Sequence, residues 1–374
     1  LEPASGTLQT LPLPKAAGSL DLVATFHGAM PTGVTVSHDG RIFVNYPKWG
    51  DDVRFTVAEL RDGQEVAYPN EAVNQAEGNN DPERLVSVQS VVVDPVNRLW
   101  ILDTGSPLFA LTKFGGPKLV CIDLATDEVA QIILFPSIVA LPTSYLNDIR
   151  FDLRRGAAGM AFITDSSNQG ANGIIVVDLA TGESWRRLHD HPSTKPELLS
   201  RFLPIIEGRP FLEEQPDGSV KSGSAMGSDG IAISADGSRL YYCPLGSRRL
   251  YSVAVDALAD LTVNEMAATA TVRDEGDKGG GADGLESDAS GAIYATNYEH
   301  NAITRRRPDG QWETIVHYPR LLWPDTLSLA TDGFLYVTAN QLHRQARYHR
   351  GLDLRQKPYA LFRTRIDAQP VLLR

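Results

Sequence analysis

Cysteine is nearly missing from this chain of 374 residues: only Cys121 and Cys243 occur, with no CxxC pair and no metal-ligand spacing. That argues against a disulfide, a thiolate zinc site or a thioredoxin-like redox centre. Each thiol lies in an apolar, strand-like run and reads as a small buried side chain. No apolar run is long enough to span a bilayer. Basic residues are outnumbered, 35 against 46 acidic ones, and the net charge of −11 argues against nucleic acid or anionic lipid as a partner. There is no GxSxG elbow and no GK[ST] phosphate loop, so "GDKGGGADG" (276–284) reads as a flexible loop. His189 and His191 in "HDHP" have no further His or Cys nearby to complete a zinc site. No organic cofactor is expected.

What the chain does have is 42% hydrophobic residues, enough for a packed core, and a repeat. "TGVTVSHDGRIFVNYP" from Thr32 recurs as "SDGIAISADGSRLYYCP" from Ser228 and "PDTLSLATDGFLYVTAN" from Pro324, with further copies from Gln89, Asn147 and Ala282. Each copy has alternating apolar positions, an Asp/Gly/Asn turn, then a β-branched and aromatic run, which is the period-2 signature of a hairpin. The turn starts Asp39, Asp94, Asp152, Asp236, Asp288 and Asp332 are spaced at about 44 to 58 residues, with one longer interval before Asp236. That is the length of a four-stranded propeller blade. The fold class is therefore all-β, a six-bladed β-propeller, with few helices. Residues 1–20 read as an extended leader, the stub left by signal-peptide removal, and imply a secreted or periplasmic protein. Residues 21–374 form one propeller domain, with 21–28 and 359–373 as ring-closing strands. The polar, Pro- and Gly-rich stretch at about 190–224 is an insertion over one face, either a lid or an ordinary surface excursion.

Aligning the copies on their apolar pairs gives one polar column: Thr32, Gln89, Asn147, Asp229, Asp283 and Asp325. Innermost strands line a propeller's channel, so these six side chains converge on the axis as ligand-facing groups. The adjacent column, Gly33, Ser90, Asp148, Gly230, Gly284 and Thr326, is mostly small, as where backbones crowd. The ends of the second strands add Asn45, Asp103, Asp165, Asn297 and Asn340 to the same mouth, which makes it polar and acidic. Two unit charges about 6–8 Å apart repel by roughly 2–3 kcal/mol at an effective dielectric of about 20. A cation, a raised pKa or bulk water must relieve this. The oxygen-only set Asn147, Asp229, Asp283 and Asp325 suits a hard metal ion, Ca²⁺ before Mg²⁺ or Mn²⁺; a cationic organic ligand is the second solution, and plain hydrogen bonding to backbone and water the third.

The segments "GVTVSHDGRIFVNYPKW" (33–49), "NRLWILDTG" (97–105), "YLNDIRFD" (145–152) and "WPDTLSLATDGFLYVTANQLHR" (323–344) resemble the major royal jelly protein/yellow family. That resemblance implies a six-bladed propeller, commonly secreted, with a small-molecule pocket at one mouth; some members bind biogenic amines and some convert dopachrome. More distantly, Asn147-Asp148-Ile149 and Asp283-Gly284 look like steps of the calcium-dependent gluconolactonase and paraoxonase propellers. Where those carry a ligand glutamate in the first blade, Thr32 stands here, and Asp325 would have to compensate.

Two classes of function follow. As an enzyme, the protein would use Asp229, Asp283 and His343 catalytically. With a metal it would be a lactone or ester hydrolase, a carboxylate or His343 activating water; without one, a dopachrome-type tautomerase. His343 could equally be a hydrogen-bonded structural residue, and Trp323 could stack on a ligand ring or pack at a blade junction. As a binding protein, a monomer would capture a small cationic or aromatic molecule at the same mouth and do no chemistry.

Overall fold

The computed structural model describes residues 16–215 and 217–374. Most of the expected leader, residues 1–15, lies outside the described residues. Six four-stranded antiparallel sheets make the six blades. Their innermost strands are Val34–Val36, Val88–Val93, Leu146–Asp152, Ser228–Ile233, Leu285–Ser287 and Pro324–Leu329. Each inner strand touches the next, and the last touches the first, which closes the ring. The third and fourth copies of the repeat give the longest fully buried inner strands, since both their faces meet protein. The first and the fifth have the shortest, and in the fifth Ser287 replaces the second apolar residue of the pattern.

Ring closure comes from the chain's beginning. Asp21–Phe26 is the outermost strand of the sixth blade and pairs antiparallel with Tyr359–Arg365. The sequence reading carried the terminal strand on to 373, and the structure shortens it. After Arg365 the tail leaves the sheet and crosses the far end of the channel, where Pro370 bridges to Asp288 and the Leu153 amide donates to the Leu373 carbonyl. Leu373 is drawn there by an apolar cluster that includes Phe162 and Ile231.

The Asp residues of the hairpin turns do turn chemistry. Asp94 accepts from the Val96 and Arg98 amides with one oxygen and from the Trp100 indole with the other. The small column beside the axis is explained by backbone crowding. A Cβ on Gly230 would lie 2.3 Å from the Asp283 carbonyl oxygen, and one on Gly284 would lie 2.5 Å from that of Asp325. Only glycine lets neighbouring inner strands approach this closely.

Residues 190–224 add two short hairpins, Ile205–Ile206 with Arg209–Pro210 and Leu212–Glu214 with Val220–Ser222. Two single-turn helices, Val255–Ala259 and Glu265–Thr269, precede the outer strand of blade four.

Phe26 is fully buried at the closure, edge-on to Tyr46 of the first blade at 6.2 Å. Phe26→Ala is expected to cost about 3–5 kcal/mol, because it opens a cavity where the ring is fastened. Urea unfolding measures this, and a loss below about 1 kcal/mol would show that the closure carries no strain-bearing contact.

Candidate functional site

The inner strands bring Gln89, Asn147, Asp229, Asp283 and Asp325 into one axial cavity, with about 580 Å³ of atom-free space including its opening. The three aspartates are at most 7% exposed. A side-chain N–H is aimed at each carboxyl. Asn147 Nδ2 donates to Asp229 Oδ2 at 2.9 Å, Trp323 Nε1 to Asp283 Oδ2 at 2.8 Å, and Asn340 Nδ2 to Asp325 Oδ2 at 2.7 Å.

Neutral donors do not cancel three buried charges. Burial, then the neighbouring Asp283 and Asp325, holds the Asp229 carboxyl well above the ordinary range. Asp325 is raised in the same way, by burial and then by Asp283. Asp283 is lifted by burial to about 6 and is kept that low by hydrogen bonds from Trp323 and from Asp229. Contact between the two carboxyls raises Asp229 and lowers Asp283, which favours a proton on Asp229. A raised pKa is one of the ways the charge conflict visible in the sequence can be relieved.

Aromatic groups from the loops above build the walls. Trp49 Nε1 donates to the Tyr145 hydroxyl at 2.8 Å, and that hydroxyl donates to Gln89 Oε1 at 2.9 Å. Phe109 stacks on Trp49 with centroids 5.4 Å apart, and Tyr348 and Arg347 complete the rim. Glu213, Lys221 and Ser222 of the inserted hairpin cover the mouth. Sequence reasoning missed Trp49, Phe109, Arg347 and Tyr348, which lie in irregular loops outside the aligned columns. Trp49 did stand at the end of the first repeat, in "NYPKW", as a bulky residue just past a second strand.

Several expected site residues act elsewhere. Thr32 lies at a blade junction, its hydroxyl accepting from Asn45 Nδ2 at 3.0 Å. Asn297 staples a loop, accepting from the His300 amide at 3.1 Å. Asn340 reaches the site only through Asp325. Trp323 cannot stack on a ligand: it is fully buried, with Tyr298 stacked at 4.4 Å and His343 at 6.1 Å. Its backbone is left-handed, φ 52°, an unusual setting for a bulky residue that this clamp enforces. His343 is not a cavity group either. Its Nε2 is bound to Glu207 Oε2 at 2.7 Å, and burial pushes its pKa down. The acidic strand ends are staples as well: Asp103 accepts from the Val86, Ser87 and Gly105 amides, and Asp165 from the Tyr145 amide and Arg186.

Below the aspartates the channel is plugged. Arg150 donates to Asp148 Oδ2 at 3.1 Å, and it reaches the Leu285 carbonyl of blade five at 2.7 Å. Asp148, read from sequence as a member of the small column, is therefore half of an ion pair.

Among the described residues no group of three His, Cys, Asp or Glu side chains has metal-holding geometry. The oxygen-only set is poorly arranged for calcium: each carboxyl faces a side-chain N–H, and the first blade offers only the engaged Thr32 hydroxyl.

These features define a class: a six-bladed propeller with an axial pocket floored by buried carboxyls. Residues 86–369 match the major royal jelly protein family, and the chain belongs to it. It is 26% identical over 248 residues to Protein yellow of Drosophila erecta, covering 63% of this chain and 43% of that protein. It is 27% identical over 165 residues to dopaminechrome tautomerase of Drosophila melanogaster, covering 42% and 35%. The matched segments span less than half the length of these curated relatives. Among solved structures, a calcium-binding regucalcin from Agrobacterium tumefaciens superposes with a TM-score of 0.54 at 17% identity, covering 94% of this chain and 98% of that one. A luciferin-regenerating enzyme superposes at 0.56 with 12% identity, covering 94% and 98%. Likeness at such identity shows the fold alone.

Because the folded state retains protons that the unfolded chain releases, the axial carboxyls make stability fall as pH rises from the ordinary aspartate value of 3.8 through about 6. Asp229→Asn keeps the shape and removes a carboxyl that must take up a proton on folding. It is expected to hold or raise stability at pH 7.5, by on the order of 1–3 kcal/mol, and to flatten the dependence between about pH 5 and 7. Denaturation across that range checks it; a loss of stability at pH 7.5 would contradict the account.

Proposed function

We propose that the axial cavity binds a small, flat, ring-containing molecule and shifts a proton between two of its atoms, as a tautomerase does. The observation that carries this reading is that Asp229 and Asp283 lie buried together at the floor of an aromatic-walled pocket, where burial raises both carboxyls, Asp283 to about 6. An ionised Asp283 would take a proton from a carbon beside a carbonyl. Asp229 would give its proton to the carbonyl oxygen, and the pair would then restore itself across its own hydrogen bond. One proton leaves and one arrives, so no oxidant or cofactor is consumed. Placing acid and base on opposite sides of one pKa gap is how paired carboxyls divide such work.

The likeness to a dopaminechrome tautomerase supports the substrate class, and Trp49, Phe109 and Tyr348 offer faces for a flat ring. Lactone or ester hydrolysis draws less support, because the oxygen-only set is poorly arranged for calcium. Action as a monomer outside the cytoplasm belongs to the same proposal; no helix among the described residues is long and apolar enough to cross a membrane. A second reading, a non-catalytic holder of a small cation, is favoured by Asp325, a third buried carboxyl that a two-group proton shuttle does not need.

Dopaminechrome is the first substrate to assay. The kcat/KM is expected to rise as pH climbs through about 6, where Asp283 ionises, and to fall at higher pH once Asp229 loses its proton. Asp283→Asn and Asp229→Asn should each lower kcat by roughly 100- to 10,000-fold. Tight binding of dopamine without turnover of dopaminechrome would transfer the site to the second reading. Metal analysis of protein purified without chelator should find no stoichiometric calcium, and chelation should leave the Tm unchanged; a Tm drop restored by calcium would reinstate the metal.

A further inference from the structure

The hairpin Leu212–Glu214/Val220–Ser222 lines the same axial cavity as the carboxyls, through Glu213, Lys221 and Ser222. Its base is apolar and tight. Phe211 packs on Tyr348 at 4.4 Å and on Trp323 at 5.3 Å. The Gly223 amide donates to the Phe211 carbonyl at 2.8 Å, and a Cβ on Gly223 would lie 2.6 Å from the Phe211 ring. Past that base the attachments change character. Glu213 accepts two hydrogen bonds from Arg347 Nη2, at 2.9 and 3.0 Å, and Glu214 meets Arg350 Nε at 3.1 Å. One hairpin earlier, Glu207 is gripped by Arg344 Nε at 2.8 Å and His343 Nε2 at 2.7 Å. In every one of these pairs the insertion supplies the acid and residues 343–350 supply the base. Open clefts flank the hairpin, one lined by Glu214, Val220 and Arg350, the other by Glu207, Phe211 and Arg344.

We propose that this hairpin is a lid, hinged at Phe211 and Gly223 and latched by ion pairs to residues 343–350, which must lift for a molecule to reach Asp229 and Asp283. Exposed ion pairs are individually weak and are screened by salt, so a latch made of them yields where an apolar seal would not. Arg347 links latch to pocket, since its guanidinium also lies 5.3 Å from the Phe109 ring of the wall. The inference rests on the axial cavity being the ligand site only for what passes the lid; the lid's movement can be read with no ligand present.

Hydrogen–deuterium exchange of the full chain tests it. Raising NaCl from about 0.01 M to about 1 M shortens the Debye length from about 30 Å to about 3 Å. Exchange in peptides covering 212–222 should then quicken by about three- to tenfold. The double variant Glu213→Gln/Glu214→Gln should reproduce that rate at low salt and lose the salt dependence, with Ser228–Ile233 unchanged as the internal control. Should the variant loosen the control strand as well, the salt series on the unaltered protein and the single variant Arg350→Gln decide. Hairpin exchange that ignores both salt and substitution overturns the latch, as does exchange already as fast as an unstructured peptide at low salt. If dopaminechrome is not turned over while the hairpin responds as stated, the tautomerase reading fails and the lid stands.

Discussion

Three buried carboxyls held within one cavity is the condition on which the rest of the site depends. Asp229, Asp283 and Asp325 come from consecutive blades, and Gly230 and Gly284 allow those blades to close until their backbones nearly touch. Buried as they are, three full charges there would be costly, and a proton or a cation relieves that cost. The surroundings favour the proton. Each acid faces an N–H from a neighbouring side chain, and those donors differ in kind: an amide for Asp229 and Asp325, a clamped indole for Asp283. The indole holds Asp283 down to about 6, while burial and the neighbouring carboxyls raise Asp229 well above the ordinary range.

The same centre organises the molecule outward. Trp323 is the hub between floor and lid, its N–H on Asp283 and its ring between Tyr298 and His343. His343 in turn holds Glu207 of the insertion. On the other side Arg150 seals the channel by tying blade three to a carbonyl of blade five, and the chain's last residues cross that far mouth. A propeller channel open at both ends is thus made into a cup, sealed at the bottom and lined at the top by the inserted hairpin.

The fold was legible in the sequence because propeller blades repeat. Copies of one hairpin place Thr32, Gln89, Asn147, Asp229, Asp283 and Asp325 in one column without any knowledge of contacts, and four-stranded spacing dictates closure. Convergence of five of those six on the cavity follows from topology alone. What the column could not say was which way each side chain would be satisfied. Thr32 was lost to the site because Asn45 and a backbone carbonyl engage its hydroxyl, and Asp103 and Asp165 because nearby amides claim their oxygens. Trp323 opens "WPDT" and His343 lies in the same resembling segment, 323–344, yet the two are buried against each other instead of facing the cavity. The walls were illegible for a different reason. Trp49, Phe109 and Tyr348 sit in loops of unequal length, where no periodicity fixes direction, and they meet only once the blades are folded.

The most direct measurement is neutron crystallography of the perdeuterated protein at neutral pD, which locates hydrogen isotopes between side chains. The account predicts a deuteron on Asp229 pointing at Asp283, with the Trp323 N–D directed at the other oxygen of Asp283. Bare carboxylates on both residues, bridged by water or a metal ion, would contradict it.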